Sequence, residues 1–198
     1  MTGLPEGLTL QLAQHAEADA LLSADPFALL VGMALDQQFP MEKAFIGPWL
    51  ITERIGAETL DPRAVADLDL ERFAAVMAGP PAVHRYHRSM AGRVQDLARY
   101  VCEHFDGDAA AIWRDARSGD QLKARLMALP GFGEQKARIF VALLGKQAGV
   151  RPRGWRQAAG GYGQARSFRS VADVVDPASL AKVRAYKKAV KTGQVLPG

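Results

Sequence analysis

Wherever apolar residues recur regularly along this chain they do so at three- and four-residue spacing, and no stretch alternates apolar with polar positions between tight turns. The pattern predicts an all-α protein. An opening helix is expected over Thr9 to Leu22, broken at Ser23-Ala24-Asp25-Pro26, where Asp25 suits an N-cap and Pro26 a first helical position. The apolar run from Phe27 then predicts a buried helix to about Leu35. Pro40 opens a helix through Trp49 to Ile55, stopped at Gly56, and Asp69 caps one that Gly79-Pro80-Pro81 must end. Tyr86, Met90, Val94, Leu97, Val101 and Phe105 share one face of a helix closed by Gly107, which leaves Arg85, Arg88, Arg93 and Arg99 largely off that face. Ser118 or Asp120 caps a helix through Ala128, a tight turn follows from Leu129 to Gly133, and Glu134 to Leu144 forms the next helix with Gly145 just past its end. The Gly-, Pro- and Arg-rich segment 149–170 reads as an ordered loop or short helical turns, and Asp176-Pro177 starts a last basic helix ending near Lys191.

Composition adds bounds rather than detail. With 198 residues, 48% hydrophobic and 23% charged, the chain has the make-up of an ordinary globular protein, with room for one domain or two lobes around a cleft. No apolar stretch approaches the roughly 20 residues that span a bilayer, and Met1 to Leu10 shows no basic region followed by an apolar run, so neither a membrane nor secretion is expected. The one cysteine, Cys102, excludes an internal disulfide, a four-cysteine iron–sulfur cluster and a zinc knuckle within the chain, and fits a reducing cytoplasm. Charge changes the picture more. From Lys136 onward 13 basic residues face only Asp173 and Asp176, which leaves 12 of the 25 basic and 19 of the 21 acidic residues before it. The C-terminal third therefore suits a polyanion, with nucleic acid the leading partner, although a solubilising tail has the same composition. Interspersed Trp155, Tyr162, Phe168 and Tyr186 argue for structure there.

The turn Leu129-Pro130-Gly131-Phe132-Gly133 has its own chemistry. Glycines two apart allow backbone conformations that a side chain obstructs, while Pro130 fixes the entry. Amides around Gly131, Gly133 and Glu134 can then point outward together at a helix N-terminus, where the helix dipole favours an anion such as a DNA phosphate. The opposite carbonyls, of Met127, Leu129 and Phe132, are candidates for holding a monovalent cation (Na or K). An ordinary helical corner is the simpler alternative.

Leu129 to Ile139, LPGFGEQKARI, resembles the hairpin of the helix-hairpin-helix (HhH-GPD) DNA glycosylase superfamily of base excision repair. Asp25 to Gln38, DPFALLVGMALDQQ, resembles the family's early helix ending in a glutamine pair, and Tyr86 to Gly107 its long helix before the hairpin. More narrowly, the chain is similar to an actinobacterial branch without the iron–sulfur cluster. The resemblance implies an all-α, two-lobed glycosylase-like fold with a DNA-binding cleft, in one unit over 1–198. One lobe is expected at 26–135, including the start of the hairpin, and the other at 1–25 plus 136–198. The implied partner is double-stranded DNA with a lesion or mismatch, with no obligate protein partner and a nucleoid-associated, cytoplasmic location.

The implied chemistry is hydrolysis of an N-glycosidic bond, in which a carboxylate near C1′ stabilises positive charge as the base leaves the extruded nucleotide. Bifunctional members add a lysine two residues past the second glycine, and here that position is Gln135, so a monofunctional enzyme is implied. Lys136 lies one step, about 100°, around the helix and reads as a phosphate contact. No acidic residue stands at the family's spacing near Arg153 to Trp155, so Asp176 is the first candidate carboxylate and Asp173 the second, with helix capping an equal alternative for Asp176. Asp36 is a further carboxylate, with a buried or capping role expected. The DNA-binding set is Gly131, Phe132, Gly133, Glu134, Gln135, Lys136 and Arg138. Gln37 and Gln38 are candidates to enter the gap left by a flipped base, and Phe39, Trp49, Tyr86 and Trp155 to stack on it, although each aromatic also suits a core. His84 and His87 have a spacing that could suit a metal, but without further ligands none is expected, nor any other cofactor. A non-catalytic module that binds damaged or bent DNA through the same hairpin is the alternative function.

Overall fold

Residues 4–194 are described by a computed structural model, and every regular element among them is helical. The order is α1 (Ala16–Ala24), α2 (Pro26–Leu35), α3 (Met41–Ile55), α4 (Pro62–Asp67), α5 (Leu70–Ala78), α6 (His87–Phe105), α7 (Ala111–Arg114), α8 (Gly119–Met127), α9 (Glu134–Lys146), α10 (Trp155–Ala159) and α11 (Pro177–Lys191). Short 3-10 turns occupy Gly160–Gly163 and Val171–Asp173. Residues 1–3 and 195–198, the outer ends of the expected lobes, lie outside the described residues.

Asp25 organises the first half. It ends α1 and caps α2, where its Oδ1 accepts the N–H groups of Phe27 at 2.9 Å and Ala28 at 3.0 Å. Its Oδ2 accepts the Leu60 N–H at 2.7 Å, which ties the segment before α4 to a corner at which α1 and α2 are bent by 119°. Burial pushes the Asp25 carboxyl above its ordinary pKa of 3.8 even though these N–H groups favour its charge. Every residue of α2 from Phe27 to Leu35 is buried. Two glycines let α2 and α3 approach so closely: a Cβ on Gly32 would stand 2.7 Å from the Phe45 ring, and one on Gly47 2.5 Å from Leu35. The end of this buried helix is thereby held fixed, and Asp36, Gln37 and Gln38 follow it directly.

The apolar face foreseen on α6 packs against α4 and α5, and Gln95 donates its Nε2–H to the carbonyls of Val65 at 3.2 Å and Leu68 at 2.6 Å. Beyond α7 the chain forms a second packed group in which α8, α9 and α10 contact one another. The α1 helix, grouped by the resemblance with the C-terminal segment, packs on α2 and α3. Buried side chains of both groups form one continuous apolar core.

Two local expectations differ from the structure. The first helix begins at Ala16 rather than Thr9, because the buried Asp19 carboxylate accepts the N–H of Ala13 at 2.8 Å and of His15 at 3.3 Å. Those side-chain bonds hold the preceding backbone in a turn. Segment 149–170, by contrast, contains the short helical turns expected of it, α10 and the 3-10 turn at Gly160–Gly163. Gly145 lies inside α9, since the Trp155 ring packs where its Cβ would be, 2.4 Å away.

Candidate nucleic-acid interface

Leu129 and Phe132 are the buried anchors of the hairpin, and Phe132 meets Phe140 edge-on at 6.3 Å. Between them the backbone turns outward. Gly131 holds φ +79°, a region a side chain disfavours, whereas Gly133 has an ordinary φ of −78°. A Cβ on either glycine would meet nothing within 4 Å, so this side of the turn is open. No side chain caps α9, and the N–H groups of its first turn have no acceptor within the helix. The unpaired N–H groups and the helix dipole at an open mouth of this kind favour negative charge. Of the three carbonyls assigned to a cation, that of Leu129 already accepts the Phe132 N–H at 3.0 Å and keeps one lone pair.

The polar side chains after the turn are engaged with the protein itself. Gln135 donates its Nε2–H to the Tyr162 hydroxyl at 2.9 Å. Arg138 pairs with Glu134 at 2.7 Å, and its Nε is buried without a partner. Lys136 departs from its expected role. Its Nζ donates to the carbonyl of Ala34 at 3.0 Å, at the end of α2, and lies 5.5 Å from the Phe132 ring centre. Burial drops its pKa from 10.5 to about 8, with Arg93 and Lys187 adding to the drop and Asp36 opposing it. Roughly a tenth of such an amine is neutral at pH 7, and a neutral amine is nucleophilic.

Around Lys136 gather the end of α2, side chains of α6 and α11, and the loops before α3 and α6. Asp36 ends α2, is largely buried, and faces the Lys187 Nζ of α11 at 3.4 Å. Gln37 accepts a hydrogen bond from Arg93 of α6 at 2.6 Å, and Gln38 one from Arg85 at 3.0 Å. With both amide oxygens engaged, the exposed NH₂ groups remain to donate. Gln38 sits at φ +52°, an uncommon conformation for a residue with a side chain and one enriched at binding sites. Phe39 stacks on the buried His84, 4.6 Å between ring centres. His84 accepts the Tyr86 N–H on Nδ1, so its proton lies on Nε2 and is donated to the Gln37 carbonyl at 3.1 Å. Burial, with Arg85, Arg93 and Lys136 nearby, pushes the His84 pKa below 6.5, and the ring stays a neutral prop for the glutamine loop. A cavity of about 120 Å³ opens among Gln37, Gln38, His84, Tyr86 and Arg93.

No protein-family model matches the chain, and no curated protein sequence matches it.

Two of the anticipated stacking residues stand elsewhere. Trp49 packs on His15 at 4.5 Å, beside the start of α1, and Trp155 is buried over Gly145. Gln37, Gln38, Phe39 and Tyr86 are brought together around His84. Neither proposed carboxylate is. The Asp173 side chain is 5% exposed, pairs with Lys146 at 2.5 Å, and accepts the Arg169 N–H at 2.9 Å, so it holds the far end of α9, about 18 Å along the helix from the hairpin. Asp176 accepts the Ser179 N–H at 2.6 Å as the cap of α11, and that bond lowers its pKa. It precedes Lys187, the α11 residue that reaches Asp36, by about 16 Å of helix. Both assignments are therefore corrected: these carboxylates are spent on backbone N–H groups and a lysine. The carboxylate that does face Lys136 is Asp36. Lys187 was marked only as one of the basic residues of the last helix, whereas Arg93 had a signal of its own, lying off the apolar face of α6.

Proposed function

We propose that this protein grips double-stranded DNA at a lesion or mismatch and removes the aberrant base as a DNA N-glycosylase of the helix-hairpin-helix type, with Asp36 as its carboxylate. One observation carries the reading: Lys136, in the first turn of α9 behind the open hairpin, reaches the end of α2, where Asp36, Gln37, Gln38 and Arg93 gather. A strand phosphate held at the α9 mouth by N–H groups brings the adjacent nucleotides to this cluster. The free amide donors of Gln37 and Gln38 suit an orphaned base edge, and Asp36 supplies negative charge where C1′ becomes positive. The test is incubation with duplexes carrying uracil, alkylated purine, oxidised guanine or mismatches, followed by alkali. Alkali-dependent breaks on one substrate, lost in Asp36→Asn, are expected. Tight binding with no breaks on any of them leaves the non-catalytic DNA-binding module in its place.

A second chemistry is favoured by the position of Lys136. Its neutral amine can attack the C1′ aldehyde of the ring-opened abasic sugar, expel water and form an imine. Borohydride then reduces the imine to a stable protein–DNA cross-link, absent in Lys136→Met. Base release without a cross-link restricts the enzyme to hydrolysis.

A further inference from the structure

The far end of α9 holds a second cavity, of about 340 Å³, whose lining includes Lys146, Arg151, Arg156, Arg166 and Asp173. Its charge is not balanced. Both oxygens of Asp173 are occupied, Oδ1 by Lys146 at 2.5 Å and Oδ2 by the Arg169 N–H at 2.9 Å and the Ser170 N–H at 3.3 Å. Among the described residues no carboxylate pairs with Arg151, Arg156 or Arg166, whereas Arg63, Arg88, Arg99 and Arg114 each pair with one.

The walls are also preformed. A Cβ on Gly145 would strike the Trp155 ring at 2.4 Å and one on Gly163 the Arg156 carbonyl at 2.8 Å, so α10 and the turn behind it sit flush on α9. Arg151 donates its Nε–H to the Gly145 carbonyl at 2.8 Å, which leaves the outer guanidinium nitrogens of this anchored side chain to face a ligand. Arg166 holds φ +55°, a conformation disfavoured for any residue with a side chain. The aromatic rings are already covered, Trp155 by Arg156 at 4.6 Å and Phe168 by Lys182 at 4.4 Å. The cavity therefore offers charge and N–H donors rather than a stacking surface.

We propose that this cavity binds a phosphate group, held by the guanidinium groups of Arg151, Arg156 and Arg166. Planar guanidinium forks match phosphate oxygens, and an uncompensated cluster of them in a preformed concavity raises the local anion concentration. The phosphate belongs either to a nucleic-acid strand or to a small phosphorylated molecule. The proposal does not depend on the base-excision reading.

The test titrates the full-length, ¹⁵N-labelled chain with pyrophosphate. Saturable shifts are expected in the amides of residues 145–147 and 163–168, with affinity at least tenfold weaker in Arg156→Ala/Arg166→Ala. Arg166→Ala alone, which removes no stacking partner, gives the same direction should the double variant misfold. A second arm measures duplex DNA affinity against salt: a slope reduced by about two in the double variant assigns the phosphate to a strand, and an unchanged slope assigns it to a small molecule. Shifts confined to the hairpin, no saturation, or equal pyrophosphate affinity in the variants overturns the proposal.

Discussion

Lys136 and Lys146 stand on the same helix, ten residues apart, and have been put to opposite uses. Lys146 is 15% exposed and meets the carboxylate of Asp173, with Ser167 completing the group, so its charge fastens the segment after residue 163 to α9. Lys136 has no carboxylate within ion-pair distance among the described residues, only a helix-end carbonyl and the more distant Asp36, and burial lowers the pKa of its amine to about 8. A buried charge with a partner contributes to structure, whereas one without a full partner costs stability and gains reactivity. The two ends of α9 thus separate the architecture of this protein from its proposed chemistry.

The largest effect is expected where the paired lysine loses its partner. Asp173→Ala leaves Lys146 buried and uncompensated and is expected to cost about 3–5 kcal/mol in urea unfolding. A loss below about 1 kcal/mol would remove the contrast between the two ends. At the other lysine the sign reverses. Lys136→Met is expected to stabilise the fold by about 1–3 kcal/mol at pH 7, because one pKa unit corresponds to about 1.4 kcal/mol, and to abolish any cross-linking to DNA. The unfolded chain holds the Lys136 proton more tightly than the folded one, so the penalty is absent above pH 10.5, grows as the pH falls, and is complete below about 8. Unfolding curves of the two proteins should therefore converge at high pH, and a constant gap would mean that another interaction is responsible.

The hairpin glycines sharpen the comparison at smaller scale. Gly131→Ala forces a side chain to φ +79° and is expected to cost about 1–2 kcal/mol, while Gly133→Ala, at φ −78° with open space around it, should leave the thermal midpoint unchanged. Equal destabilisation by both would contradict the backbone described for the turn. The smallest effect belongs to Asp176→Ala, which removes one N-cap bond from α11 and should lower the midpoint slightly without altering DNA affinity.

Legibility in the sequence followed from how local each cause is. The caps Asp25, Asp69 and Asp176 start helices as read, and of the alternatives Ser118 and Asp120 it is Ser118 that caps, because each cap bonds to N–H groups two or three residues on. The start of α1 was hidden because Asp19 acts backwards on Ala13 and His15, a tertiary turn with no periodic signal. At the site, the hairpin and the Gln37-Gln38 pair were legible as motifs. The inward course of Lys136 was not, since it depends on where α2 ends relative to α9. The same holds for Asp173 and Asp176: capping chemistry says that a helix begins, but not at which end of α9 it begins.

Gly133→Ala tests the central claim most directly, because it alters the open face of the turn while leaving the fold in place. Affinity should be measured for a duplex carrying an abasic-site analogue, wild type against variant. A loss of about tenfold or more at an unchanged thermal midpoint is the predicted result, as the new methyl group stands where a phosphate must approach the N–H groups. Equal affinity would show that DNA, if it binds, does not bind at the mouth of α9.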